Sequence, residues 1–503
     1  MDVLLECQAP YCDWILAGRK TVETRRYPCP DHLIGQRIWL LESPAGSVRQ
    51  SAVPDQVDLT TTPGLRIVGH ITVAASVRYT SQAHWDVDSS RHCVPASSGY
   101  EWSPAVDVYG WEISAAVATT TPPPISTIAR AYRSFFLPVL HVPTIDISDP
   151  TSPEVLDAIR AQCATLGFLR VTWKNFPVDV VGEAHDATRA FFARSDAEKN
   201  TASKAAIHKT NASFCSTGYR GNTSAYNAGG RESWSCVRPD FDPSSPPAGA
   251  YYANPTHFAQ APDPQVPWPA PTIAPTFRPA VTAYYAAVDD LAQTLLHIFG
   301  HILELEDPET LATLSKDHVS SLNLTSLRFE DDSHVAANAI LPAHGDITSV
   351  TILSHDASDG ASGTACLQVL NPAYDAREPY SLRWIALADA APDAPPSFLV
   401  NLGQIMERWS NGRLKATLHR IARPVHPSIL RRRQAIVFFR VTNYDAELRP
   451  LVGDATTYTP ERMAEYANAR LGPFHDSSKS LLEAYAIYNK DIIAPDAYIA
   501  LAQ

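Results

Sequence analysis

The sequence predicts a mixed α/β chain in two parts: a small barrel of mixed strands, then a larger β-core flanked by helices. Three observations carry this. Short β-rich runs crowd residues 1–118, and a proline run, Thr119-Thr120-Thr121-Pro122-Pro123-Pro124, closes that region. Beyond it, strand-like runs such as Phe398–Gly403 and Ala435–Phe439 recur. Between these parts Phe277–Leu305 carries the apolar period of a long amphipathic helix, suited to back a sheet. A length of 503 residues accommodates two or more domains.

In the first unit, Tyr11–Gly18 reads as a short helix stopped by glycine. Gly35–Glu42, Leu65–Val73 and Tyr109–Ile113 read as strands. Residues 119–138 are expected to be a linker, semi-rigid because of its prolines. In the second unit, Val142–Ile147 is a strand, and Pro153–Leu166 a helix with Ser152 at its cap. Gly167–Val171 is the next strand, and Phe191-Phe192 with Glu198-Lys199 closes a second helix. Thr201–Thr276 is a long loop rich in Asn, Ser, Gly and Pro, of the kind that serves as a lid or binding loop. The tail from Asp445 to Gln503 holds helical segments over Pro460–Leu471 and Ser480–Tyr488.

Composition narrows the function classes. A hydrophobic content of 45% is that of a globular protein, and a net charge of −12 argues against broad binding of nucleic acid or anionic membrane. The eight cysteines include no C-x-x-C pair, which points to reduced thiols in an intracellular protein, cytoplasmic or nuclear. Met1–Lys20 lacks the pattern of a secretory signal, and no apolar run approaches a membrane span, so no membrane partner is expected.

The chemistry concentrates between Leu341 and Phe439. His344-Gly345-Asp346 precedes the β-rich Thr348–Leu353, so both side chains are expected on one face at the start of that strand. Phe398–Gly403 then reads as a strand, Gln404–Trp409 as a short helix, Ser410-Asn411-Gly412 as a turn, and Leu414–Arg420 as a strand that carries His419. Arg433 lies just ahead of the strand Ala435–Phe439. Two imidazoles and one carboxylate occupy one face of an iron ion and leave the other face open. An arginine nearby suits the far carboxylate of a small diacid.

This segment resembles the Fe(II)- and 2-oxoglutarate-dependent dioxygenases of the isopenicillin N synthase-like group. The resemblance rests on the H-x-D triplet, Asn401-Leu402-Gly403, Arg408-Trp409-Ser410-Asn411-Gly412-Arg413, Thr417-Leu418-His419-Arg420, and Arg433 ahead of Phe438-Phe439. Upstream landmarks of the group stand at Asp146, Gly167-Phe168, Phe191-Phe192 and Glu198-Lys199. The resemblance implies an oxygenase over 139–503. Its N-terminal region and substrate loop would occupy 139–276, its helix and double-stranded β-helix (jelly-roll) core 277–445, and a helical tail 446–503. It implies His344, Asp346 and His419 as Fe(II) ligands, with no catalytic residue beyond the metal site, and Arg433 as the partner of the 2-oxoglutarate distal carboxylate. O2 would be the second co-substrate and ascorbate a supporting reductant. Tyr219, Arg220, Arg231 and Trp234 match landmarks on the substrate side. His355 and Asp356 lie past the strand end and are not expected to ligate metal. They open one of two insertions, His355–Thr364 and Leu387–Pro396, that lengthen this segment relative to the group.

Two positions depart from the pattern. Ala435 stands where the group has the serine of R-x-S, and Leu327-Arg328-Phe329-Glu330 lacks an upstream tyrosine. Two lost hydrogen bonds to a charged group cost roughly 1.5–3 kcal/mol each. A weaker grip on 2-oxoglutarate, or a different co-substrate, stays open.

The first unit resembles the ASCH domain, a PUA-like β-barrel, through Gln8-Ala9-Pro10-Tyr11 and Gly18-Arg19-Lys20-Thr21-Val22-Glu23-Thr24-Arg25. The resemblance implies a pocket for RNA or a nucleoside-like ligand that involves Lys20, Glu23 and Arg25. Glu23 replaces a threonine of the hydrolytic branch, so hydrolysis is not implied. The leading expectation is an oxidoreductase that couples 2-oxoglutarate decarboxylation to oxidation, hydroxylation by default, of a small organic substrate. One alternative is oxidation of a nucleobase, nucleoside or RNA guided by the first unit. Another is a degenerate oxygenase that binds RNA. The substrate, the regiochemistry and the oligomeric state are not legible in the sequence.

Overall fold

The computed structural model describes residues 2–44, 53–54, 56–203, 217–221, 231–239, 266–318, 320–328, 339–356, 366–371, 383–388, 396–422, 432–453, 458–476 and 478–502. Most of the expected loop over 201–276 lies outside the described residues, as do 357–365 and 389–395 of the two insertions, and Phe329 and Glu330. The chain divides into two compact units. The first holds Met1–Leu140 with Gln368–Ala388, and the second holds His141–Leu367, Asp389–Arg423 and Leu430–Gln503.

The first unit is built on β1 (Leu4–Gln8), α1 (Tyr11–Leu16), β2 (Val22–Arg25), β3 (Arg37–Ser43), β4 (Gln56–Asp58), β5 (Arg66–Arg78), α2 (Gln82–Val87), α3 (Ser89–His92), β6 (Tyr109–Ala118), β7 (Thr127–Tyr132) and β8 (Phe135–Pro138). The strands form one sheet in the order β2-β6-β5-β3-β1-β8-β7-β4, with β1 parallel to β3 and antiparallel to β8. Strand alternation explains why apolar residues come in adjacent pairs. Leu5, Leu40, Ile71 and Phe135 bury on one face, and Leu4, Trp39, Leu41 and Phe136 on the other. The expected linker 119–138 is corrected here, because β7 and β8 lie within it. Ile128 and Phe136 enter the core, so the proline run precedes two working strands rather than a free connection.

The second unit runs β9 (Thr144–Asp146), α4 (Pro153–Thr165), β10 (Phe168–Thr172), α5 (Val178–Phe192), α6 (Asp196–Asn200), β11 (Gly218–Arg220), β12 (Arg231–Cys236), α7 (Phe277–Ile302), β13 (Ser321–Arg328), β14 (Ala339–His344), β15 (Val350–His355), β16 (Phe398–Leu402), α8 (Gln404–Trp409), β17 (His419–Ala422), β18 (Arg432–Arg440), α9 (Met463–Leu471), α10 (Leu481–Tyr488) and α11 (Pro495–Ala502). Ser152 caps α4 by accepting from the Val155 amide, as its sequence position predicts. The helix expected to close at Lys199 is two, α5 and α6, because Ser195 and Glu198 form a capping box that restarts the chain.

The main sheet is ordered β11-β12-β13-β18-β15-β16-β10-β9, and β14 pairs antiparallel with β17. The period of two sorts its side chains. Ile352, Ile436 and Phe438 face the core that contains α7, where Tyr285 meets Phe438 edge-on and the Tyr284 hydroxyl donates to Ser354 Oγ at 3.0 Å. Thr351, Leu353, Val437 and Phe439 face the opposite way, into a cavity. Among the described residues no helix is long and apolar enough to cross a membrane.

Candidate metal centre

Two strand ends and a turn converge on the cavity. His344 is the last residue of β14, His419 the first of β17, and the two are paired in register. Asp346 sits in the turn between β14 and β15 rather than on a strand, which corrects the expectation of a shared strand face. The turn is held from outside: the Gln404 amide donates to Asp346 O at 2.7 Å, and Gly345 N–H donates to Asn489 Oδ1 at 2.9 Å. Ahead of His419, Gly167 adopts φ +68°, and a Cβ there would lie 2.2 Å from the Lys415 carbonyl. Only glycine lets the α4–β10 turn approach this segment so closely.

The geometry tests whether a metal fits. One donor atom from each of His344, Asp346 and His419 lies within 4.8 Å of the others. His344 Nδ1 meets Pro342 O at 2.8 Å and His419 Nδ1 meets Thr417 O at 3.1 Å. Each ring therefore carries its proton on Nδ1 and turns a bare Nε2 toward Asp346, at 3.5 Å for His344 and 3.8 Å for His419. Asp346 Oδ2 accepts from Thr351 Oγ1 at 2.6 Å and Asn401 Nδ2 at 2.8 Å, which leaves Oδ1 available. Burial, and then the neighbouring His419, pushes His344 down to about 4. Burial pushes the Asp346 carboxyl up, but both imidazoles and the two hydrogen bonds outweigh it and hold the group below its ordinary range. His344 is thus neutral and Asp346 ionised at neutral pH, the states in which these groups ligate a metal.

The tail contributes supports that nothing in its sequence announced. Tyr488 OH accepts from Ile347 N–H at 3.2 Å, and Asn489 Nδ2 and Tyr498 OH donate to Ala343 O at 3.3 and 2.6 Å. Asn489 is completely buried.

Arg433 lies on β18 rather than ahead of it and lines the same cavity. Its guanidinium donates to His355 Nε2 at 2.7 Å. Burial and the charge of Arg433 push His355 well down, so it is neutral and able to accept. Asp356 pairs with Arg189 at 2.7 Å. At the position of the missing serine, Ala435 is in register with Thr325 of β13, which lines the cavity and whose hydroxyl donates to Ala435 O at 3.2 Å.

The four residues proposed from the sequence as substrate contacts divide by strand face. Arg231 lines the cavity. Arg220, in register with Ser233, belongs to the same face of the sheet but does not line the cavity. Tyr219 and Trp234, which pair with each other, point to the opposite face and are buried in the core. The Tyr219 hydroxyl donates to Glu232 and Trp234 Nε1 to Pro267 O at 3.1 Å, so both are corrected to structural residues.

Residues 316–442 match the 2OG-Fe(II) oxygenase superfamily, and residues 142–256 match the N-terminal region of the non-haem dioxygenase in morphine synthesis. The chain is 27% identical over 340 residues to homoarginine-6-hydroxylase 2-ODD-C23 of Glycine max, covering 62% of this chain and 88% of that one. It is 27% identical over 333 residues to a 2-oxoglutarate-dependent dioxygenase of Didymella fabae, covering 62% and 89%. This is an Fe(II)- and 2-oxoglutarate-dependent oxygenase. The oxygenase shares its fold with a full-length Neurospora crassa protein solved in complex with alpha-KG and thymine, at TM-score 0.51 and 18% identity over 66% of this chain and 96% of that one. Its cofactors are Fe(II) and 2-oxoglutarate, and the donor set of the triad fits the metal.

The oxygenase has a second cavity, in its first unit, of about 360 Å³. Lys20, Glu23 and Arg25 all line it, with Tyr11, Tyr27 and Tyr100. Lys20 Nζ lies 3.3 Å and Arg25 Nε 2.8 Å from the Glu23 carboxylate. Burial pushes Glu23 up, but the two cations outweigh it and keep the carboxyl below its ordinary range.

Proposed function

We propose that His344, Asp346 and His419 hold the iron of this oxygenase and that Arg433 receives the distal carboxylate of 2-oxoglutarate, for oxidation, by default hydroxylation, of a small organic substrate. When bound, iron with 2-oxoglutarate and O2 supplies the oxidising equivalents and releases succinate and CO2. The protein orients and shields. The observation that carries the assignment is that each imidazole directs Nδ1 to a backbone carbonyl and Nε2 to Asp346. His355 presets the Arg433 fork, and Thr325 offers a hydroxyl beside the position that Ala435 leaves bare. Leu341, Leu353, Leu399 and Ile421 give the cavity an apolar wall that disfavours water. The test is succinate release by the pure protein. Turnover should require Fe(II), 2-oxoglutarate and O2 together, and succinate formed equally without added iron would count against the reading.

A second reading concerns residues 1–118 as an ASCH-like, PUA-like domain, distinct from the oxygenase of 139–503. It is favoured by the cavity that gathers Lys20, Glu23 and Arg25 with three tyrosines. Paired charges beside aromatic rings suit a nucleobase, which stacks and hydrogen-bonds along one edge. The ligand would be a nucleoside or an unpaired RNA base. Cytidine, acetylated cytidine and a short single-stranded RNA, titrated into the full chain, should bind in a manner lost in Lys20→Ala. Absence of binding to all three would remove this reading and leave the oxygenase reading intact.

A further inference from the structure

Arg231 is a charged cavity residue that the iron and co-substrate assignment leaves unused. The register Arg231↔Leu327↔Arg433 sets it in one row across β12, β13 and β18. It therefore projects from the same face as Arg433, two strand spacings or roughly 10 Å away. It lines the cavity beside the metal triad, and its charge is felt at His344. Among the described residues no hydrogen bond or ion pair engages its guanidinium, and the one acid that lines the cavity is Asp346. Burial pulls its proton affinity below the ordinary guanidinium value, Tyr485 offsets this in part, and Arg220 adds to it. A half-buried cation with another cation nearby and no acid opposite is costly until an anion completes it.

Charge balance indicates which anion. Fe(II) with Asp346 retains one positive charge, Arg433 adds another, and dianionic 2-oxoglutarate cancels both. The charge of Arg231 remains. Resting on the iron and 2-oxoglutarate assignment above, we infer that Arg231 binds the single carboxylate of a largely apolar substrate acid and selects monocarboxylates over neutral molecules. A guanidinium fork matches a carboxylate in two parallel hydrogen bonds. A phosphate monoester, at about −1.5 to −2, would overshoot the balance. The acid's apolar body would lie on Leu327, Leu341, Leu399 and Ile421.

The test uses the full chain loaded with Mn(II), which does not turn over, with and without 2-oxoglutarate. Phenylacetate, cyclohexylacetate, 3-phenylpropionate and 1-naphthylacetate are each titrated beside their neutral primary amides by calorimetry. At least one acid should bind about tenfold or more tighter than its amide. Arg231→Gln should erase that gap, Arg231→Lys should keep part of it, and both variants should bind 2-oxoglutarate as the wild type does, which also reports their folding. No acid preferred over its amide, or a gap that survives Arg231→Gln, overturns the inference. So does a loss of 2-oxoglutarate binding in Arg231→Gln with the gap intact, which would make Arg231 a co-substrate residue. Failure of the wild type to bind 2-oxoglutarate strikes the co-substrate assignment and, with it, the charge balance behind the inference, whereas a missing or Arg231-independent gap with 2-oxoglutarate bound strikes the inference alone.

Discussion

Replacing His419 with alanine should abolish succinate formation and remove tight Fe(II) binding while leaving the fold in place. In the proposed site His419 supplies one of three protein donors, and no other His, Cys, Asp or Glu among the described residues joins that cluster. The side chain meets Phe168 edge-on, so its loss opens a small cavity without breaking a strand. The supporting hydrogen bonds set a scale for comparison. Asn401→Ala would leave the Asp346 carboxylate held by Thr351 alone, and loss of such a support typically costs about 10–100-fold in metal affinity. His419→Ala should exceed that range. Metal titration by calorimetry, with circular dichroism to verify folding, measures both variants. Unchanged iron-dependent turnover in His419→Ala would remove His419 from the ligand set.

Arg433→Ala should raise the dissociation constant of 2-oxoglutarate by roughly thirtyfold to several thousandfold, equivalent to about 2–5 kcal/mol for stranding a buried charged partner. Arg433 is 5% exposed, so water does not easily replace its hydrogen bonds. The neutral His355 that holds it adds a pH signature. A base whose pKa is lowered in the fold stays unprotonated as pH falls through its ordinary value near 6.5, and the loss comes only at lower pH. Binding of 2-oxoglutarate by the wild type should therefore stay level across that value. A decline centred there would mean that His355 titrates normally and does not preset the arginine. His355→Ala should weaken binding less than Arg433→Ala, because it removes a support rather than the partner itself.

The contrast between Arg231 and Trp234 shows where reading the sequence stopped. Both lie in one short motif, and both were legible as family landmarks. The register of β12 decides that Arg231 faces the cavity and Trp234 the core, and register depends on pairing with β13, distant in sequence. The same limit applies to the tail. Helical segments near Tyr488 were legible from their pattern. That Tyr488, Asn489 and Tyr498 brace the turn carrying Asp346 was not, because those hydrogen bonds span more than 140 residues of chain.

Local order by itself determined several features of this protein. Ser152 at a helix cap, Asn411-Gly412 at a turn and the β-branched runs of the core act on their immediate neighbours, so propensity alone is enough to place them. The H-x-D triplet, the distant His419 and Arg433 were legible as candidates because the motifs around them resemble those of the Fe(II)- and 2-oxoglutarate-dependent dioxygenases. Only the tertiary structure decided that Asp346 sits in a turn, that β7 and β8 complete a sheet, that His355 serves Arg433, and that Thr325 stands beside Ala435. Each of these depends on which strands become neighbours. Burial selects those neighbours over the whole chain, and no window of sequence contains that information.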